Sequence, residues 1–390
     1  MRALVSGFVL VSILCVHAQQ PAAPARETVT GEQVKGAIDK LGTLDFPVRS
    51  DAARTVRRAS PEIAVPALTE AVASHKDEYV RFRALVLLSG FNDASARDVM
   101  ARMLGEKSDR LRSVAYAYFG HNVDLAALPR LIDALPREES EFVRPAVTRA
   151  IAAYGTDPRA RETMTGLIMS GQDYFRSAVI EAVGDYKGAY AFAQLTQVAK
   201  LDGPLQDDAV VALGKIGDKR ALQTFAALQR TAPRTNQPAI AASICLLGVN
   251  CASHLGYLAE TLRFSTTNIG FQELLRGSSA GLASLAVAGS DEALTALLEQ
   301  GAPTKDPARA AIALAVGTVA LRNTPLTLKV LEQQKDAAGA LELLREAFDM
   351  LEEDFEEERF FVHVRRTYWQ AAEGSPTRKT AEALIRKLEF

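Results

Sequence analysis

Residues 77–88 read DEYVRFRALVLL, 108–119 SDRLRSVAYAYF, 140–151 SEFVRPAVTRAI and 172–183 QDYFRSAVIEAV. Set one above another, they align an apolar-Arg pair: Val80-Arg81, Leu111-Arg112, Val143-Arg144 and Phe175-Arg176. Val48-Arg49 extends the series upstream, and the steps between the arginines are 32, 31, 32 and 32 residues. Three residues after each Arg stands a small or β-branched residue (Ala52, Ala84, Ala115, Val147, Val179). Seven after it stands a larger apolar one (Val56, Leu88, Phe119, Ile151, Val183). Offsets of three and seven share one helix face. A fixed period of this length is the mark of stacked supersecondary units.

Each period holds two helices. The first begins at an acid (Glu78, Asp109, Glu141, Asp173), read as an N-cap, with its Arg one turn inside. It ends at a Gly-containing turn such as SGFND, FGHNV, AYGTD or IGDKR, and a second amphipathic helix follows. Ser60-Pro61, Asp157-Pro158, Asp306-Pro307 and Ser375-Pro376 read as a capping side chain followed by Pro at the first helical position. Leu205-Gln206 keeps the frame with the Arg replaced. No segment alternates with period two, so no sheet is expected.

The V-R-x-x-A of each first helix, the A-L-G-K-I-G-D of 212–218 and the V-P-A-L-T-E-A-V of 65–72 resemble the HEAT repeat family. The likeness is to its short repeats of the phycobilisome-lyase type, and it is strongest over residues 44–250. It implies an all-α fold, an α-solenoid of about nine to ten two-helix repeats, with the second helices lining the concave side. One repeat cannot bury its apolar face alone, so stacking is compulsory and the core continuous. At ~8–10 Å between stacked helices the array would run on the order of 100 Å along its arc.

The chain divides accordingly. Residues 1–18 carry Arg2, an apolar run from Ala3 to Val16 and a Val16-His17-Ala18 cleavage pattern, and are expected to be a signal peptide. Residues 19–28, QQPAAPARET, read as a flexible linker. Residues 29–325 form the repeat solenoid and 326–390 its C-terminal helical cap. In that last region 341–373 lacks Gly and Pro and reads as one long helix or two abutting ones. Export to the periplasm or the outside follows from the leader. There Cys245 and Cys251, six apart across a helix end and a Gly turn, are a candidate disulfide, with two buried thiols as the alternative.

The residues give little chemistry. Net charge −2 and pI near 6.3 exclude a basic footprint for nucleic acid. His75, His121, His254 and His363 are scattered, none is followed by Glu, and no metal or nucleotide motif occurs. Gly277-Ser278-Ser279-Ala280-Gly281 fits G-x-S-x-G but lacks the strand that motif needs, and reads as an inter-repeat turn. The acid–Arg ladder of Glu78/Arg81, Asp109/Arg112, Glu141/Arg144 and Asp173/Arg176 reads as structural, each Arg bonding an acid or a helix end. No catalytic, cofactor or metal residue is expected. The expected function is a non-catalytic protein-binding scaffold, monomeric, with a protein or peptide partner and no nucleic acid or stable membrane insertion. The alternative is a lyase-like enzyme or small-ligand binder built from non-repeating residues, such as Tyr116, Tyr118 and His121 or the 359–369 segment.

Overall fold

The computed structural model describes residues 29–91, 93–140, 143–351 and 354–390. The signal-peptide and linker assignments, Glu141 and the Glu352-Glu353 part of an acidic run lie outside them. The described residues are helical and contain no strand.

The helices come in pairs. α1 (Gly31–Lys40) and α2 (Phe46–Arg58) lead to α3 (Pro61–Ser74) with α4 (Glu78–Ser89) and α5 (Ala94–Met103) with α6 (Asp109–His121). Then follow α7 (Leu128–Ala134) with α8 (Arg144–Ala152), α9 (Pro158–Met169) with α10 (Asp173–Asp185), and α11 (Phe192–Ala199) with α12 (Gln206–Ile216). The array goes on through α13 (Ala221–Thr231) and α14 (Gln237–Leu246), α15 (Cys251–Thr267) and α16 (Gln272–Val287), and α17 (Asp291–Gly301) and α18 (Ala308–Arg322). α19 (Thr324–Leu331) and α20 (Ala337–Met350) keep the pairing beyond residue 325, and α21 (Asp354–Gln370) and α22 (Pro376–Leu388) close the chain. The 341–373 stretch is thus two helices, parted after Met350.

The local signals act with small shifts. Asp157 accepts from the Arg159 amide and Ser375 from the Arg378 amide, each with Pro at the first helical position. Glu78, Asp109 and Asp173 stand inside the first turn, one place past the N-caps Asp77, Ser108 and Gln172. Their charge still opposes the helix dipole favourably. At Asp306-Pro307 the peptide is cis and Pro307 itself is the N-cap residue of α18, so that pair is not the expected cap.

Small residues decide which layer is inside. A Cβ on Gly184 (α10) would lie 2.8 Å from the Ala212 Cα (α12), and one on Gly214 (α12) 2.7 Å from the Ser243 Cα (α14). Such backbone approach is open only to glycine, and in a curved stack the more tightly spaced layer is the concave one. The helices carrying the Val-Arg pairs therefore line the concave side, which corrects the expectation that the second helices do. The 277–281 stretch is corrected for the same reason: it lies within α16, where Gly281 fits against the Ala242 Cβ of α14, and is no turn. Gly184→Val is expected to cost about 2 kcal/mol or more through overpacking. Gly166→Ala in α9, with open space around it, is expected to gain about 0.5–1 kcal/mol by restricting the unfolded chain. Urea midpoints moving the same way in both variants would disprove the close-approach account.

Buried apolar residues form two cores that meet at α14, one running from Val34 to Leu247 and one from Ala241 to Phe390. At that junction Cys245 and Cys251 span the turn between α14 and α15, their Cα atoms 4.2 Å apart and their sulfurs at bonding distance. No single helix is long and apolar enough to cross a membrane among the described residues; α18 and α19 pass that test only as a pair bent by 117°.

The ends of the array are joined. α21 packs against α4 and α6 near the start and against α18 and α19 near the finish. The concave side is thereby closed into a ring, with α21 across its gap.

Candidate functional site

The repeating arginines are spent on packing. Arg81 Nε donates to the Val72 carbonyl at the end of α3 (2.8 Å), while Nη2 reaches Glu106 beyond α5 (2.6 Å). Arg112 Nη1 donates to the Glu106 and Lys107 carbonyls, and its Nε and Nη2 hold the Glu138 carboxylate at 2.5 and 2.8 Å. Arg176 donates to the Ile168 carbonyl ending α9 and pairs with Asp173 at 2.9 Å. Each guanidinium thus satisfies carbonyls that the preceding helix leaves open.

Their acid partners differ from the simple in-helix pairing. Only Asp173 bonds the Arg three places on; Glu78 accepts from the Ser108 hydroxyl and Asp109 from the Arg110 amide. Arg144 lies with its guanidinium 4.3 Å from the Phe175 ring centroid, and Glu141 is outside the described residues. Two further members lack the Val-Arg pair, Gln206 in the frame already recognised and Arg309 outside it. Gln206 donates to the Ala199 and Leu201 carbonyls, and Arg309 binds the Gly301, Ala302 and Thr304 carbonyls and Glu346. Their signal in the sequence was position at a helix start, not residue type.

The non-repeating residues gather on the concave side around Glu356 of α21. Its Oε1 lies 2.5 Å from His121 Nε2 and 3.4 Å from Arg322, and its Oε2 accepts from Arg359 at 2.7 Å. The His121 ring stacks on Phe355 at 5.7 Å, and Tyr118 meets the same Phe355 edge-on at 6.4 Å. Burial opposes ionisation of Glu356, yet the His121 hydrogen bond and the charges of His121, Arg322 and Arg359 bring its pKa down to about 2. The carboxylate is therefore fixed as an anion, a clamp rather than a proton carrier.

Beside this clamp is a cavity of about 330 Å³ between α6, α8, α10, α18 and α21, bordered by Val114, Pro145, Tyr186 and Phe355. Arg149, which borders it, donates to Asp185 at 2.7 Å, and Asp185 also accepts from Lys215 at 2.6 Å. Burial works against the Asp185 charge, but the two cations hold its pKa below the usual carboxylate value. Of the residues singled out from sequence, Tyr118, His121 and Arg359 do come together here. Tyr116 does not: its hydroxyl donates to Glu138 at 2.6 Å and belongs to the ladder. Nothing in the local sequence announced Arg322, because its meeting with Glu356 needs ring closure. Among the described residues no group of three or more His, Cys, Asp or Glu side chains is placed to share a metal ion.

A second feature faces solvent. Tyr257 and Phe264, two turns apart on α15, and Ile269 and Phe271 of the next short turn are exposed apolar side chains. Phe264 and Phe271 pack edge to face at 4.9 Å, and Ile269 is 72% exposed.

Comparison with solved structures gives many likenesses, among them the following three. The YibA protein of Escherichia coli matches with 18% identity over 56% of this chain and 82% of its own, at a TM-score of 0.41. A chain of the CpcE–CpcF complex of phycocyanin lyase from Nostoc sp. matches with 18% identity over 85% of this chain and 100% of its own, at 0.30. A chain from a structure concerning the interaction of cadherin and β-catenin matches with 10% identity over 92% and 95%, at 0.31. None superposes closely enough to carry an argument about this chain. No curated protein matches the sequence. The family model described as HEAT repeats matches residues 34–120, which span α2 to α6 and the first three concave-side helices. The described residues form an all-helical solenoid, and residues 34–120 match the model of HEAT repeats.

Proposed function

We propose that this protein is a non-catalytic protein-binding scaffold, exported to the periplasm or beyond, that takes its partner on the α15 patch. The observation that carries this reading is the exposure of Tyr257, Phe264, Ile269 and Phe271 to solvent. Aromatic and aliphatic side chains are costly to leave wet and have the composition of interface anchors. The motifs that repeat are occupied in packing, which leaves recognition to residues that do not. Export rests on the leader-like residues 1–18.

Mature protein used as bait in envelope extracts is expected to recover a protein partner. Phe264→Ser with Phe271→Ser is expected to reduce recovery about tenfold or more, as loss of buried aromatic anchors does. The same variant should unfold within about 0.5 kcal/mol of the parent, since its positions are exposed. Equal recovery with both baits would refute the patch, and no partner together with turnover of a soluble substrate would refute the scaffold.

One observation favours a second reading, a small-ligand binder or lyase-like enzyme: the cavity beside His121 and Glu356 has the volume of a small ligand site. Saturable binding or turnover lost in His121→Ala, with partner capture unchanged, would select it.

A further inference from the structure

The seam that closes the ring is rich in ion pairs. Ion pairs also cross the junctions of α8 with α10, α10 with α12 and α18 with α20, but there the apolar core runs through as well. At the seam the first core continues into α21 through Phe355 alone, while Phe360 and Val364 belong to the second. Arg57 Nη2 holds Glu358 at 2.6 Å and its Nε lies 3.0 Å from both carboxylate oxygens. Arg83 pairs with Asp354, and His121 and Arg322 with Glu356. Three acids at alternate positions of one helix thus meet three guanidinium groups from α2, α4 and α18 and the His121 imidazole from α6.

The cradle is shaped as well as charged. Gly90, just past α4, leaves the space that Glu358 fills, since a Cβ there would lie 2.7 Å from its Oε1. Arg365 of α21 also donates to the Arg57 carbonyl, fixing the register. Hydrophobic side chains of similar volume would hold a permanent seam at least as well. Paired charges instead select a binder by pattern and lose little when another helix offers the same pattern.

We propose that the concave side of α2, α4, α6 and α18 is a binding site for an acidic helix of a partner protein, and that α21 is its resident occupant, displaced on binding. The partner helix carries carboxylates at positions i, i+2 and i+4, beside an aromatic residue that takes the place of Phe355. A second copy of this chain is a poorer occupant, because each copy would lend an α21 only by emptying its own ring. The proposal deepens the protein-binding reading but concerns another face, so it can fail while capture through the α15 patch succeeds.

The test uses the full chain and a labelled synthetic peptide of residues 354–371 as probe. Glu358→Gln leaves Arg57 buried beside a neutral amide, and that cation regains water only if α21 lifts. Asp354→Asn does the same at a more exposed pair, with less risk to folding. Arg57→Met with Glu358→Leu replaces the pair by apolar contact and keeps the ring shut. The peptide is expected to bind either folded single variant at least tenfold tighter than the wild type. It should bind the apolar double variant no tighter than the wild type. A peptide with amides in place of Asp354, Glu356 and Glu358, and Glu357 kept, should bind the single variants at least tenfold more weakly. Single variants that are folded and bind the acidic peptide no better than the wild type would overturn the proposal. So would equal binding of the amide-substituted peptide, or a stable dimer of Glu358→Gln in sedimentation, which would give the groove to a second copy.

Discussion

Replacing Arg112 by alanine is expected to lower the unfolding free energy by about 3–5 kcal/mol, the cost of breaking a buried ion pair from one side. The reason lies in what its guanidinium holds. Glu138 is only 3% exposed, and Arg112 with the Tyr116 hydroxyl supplies its hydrogen bonds. Without Arg112 the carboxylate is stranded, and the Glu106 and Lys107 carbonyls lose a charged donor. Arg144→Ala, at the equivalent sequence position, loses a contact with Phe175 worth about 0.5–1 kcal/mol. Urea denaturation of the two variants checks this, and equal midpoint shifts would show that the arginines are not acting through the carbonyls and carboxylate described. Burial works against the Glu138 charge, but Arg112 and Tyr116 leave its pKa lowered in the fold. Its contribution is therefore present above the unfolded value near 4.5 and lost as pH falls through the lower folded one.

The second large effect is expected at the ring seam. A carboxyl that ionises near 4.5 unfolded and about 2 folded, as Glu356 does, contributes about 3 kcal/mol at neutral pH. Glu356→Gln should remove that amount and leave His121, Arg322 and Arg359 without their shared anion. The sign follows from a lowered folded pKa: the contribution is complete above about pH 5 and disappears as pH falls from about 4.5 toward 2. Stability measured across that window should fall less steeply in the variant, by about one proton's worth. Identical pH profiles for variant and parent would mean that Glu356 is not the clamp of the seam.

Much of the fold was legible in a handful of residues. The Val-Arg pairs at 49, 81, 112, 144 and 176 set the period, and apolar offsets of three and seven set the buried face. Side-chain role was less legible. Gln206 and Arg309 do the work of the ladder without its motif, because capping a carbonyl requires a donor at the right height on the helix and not a particular neighbour. Gly277 to Gly281 read as a turn because glycine is cheap in turns, but its other use, letting two backbones touch, was the one in force.

The sequence by itself determined the all-helical repeat, its frame and the buried stripe of each helix, since these follow from spacing along one short segment. Tertiary structure alone decided which layer faces inward, because that depends on the closer of two packing distances between helices some thirty residues apart. It also decided the site. His121, Arg322 and Glu356 meet only when the stack has curved far enough for α21 to bridge its ends, and curvature is a sum of small rotations over every repeat. No single repeat encodes that sum, so His121 could be marked as a residue outside the repeat, but no local motif could have named its partners.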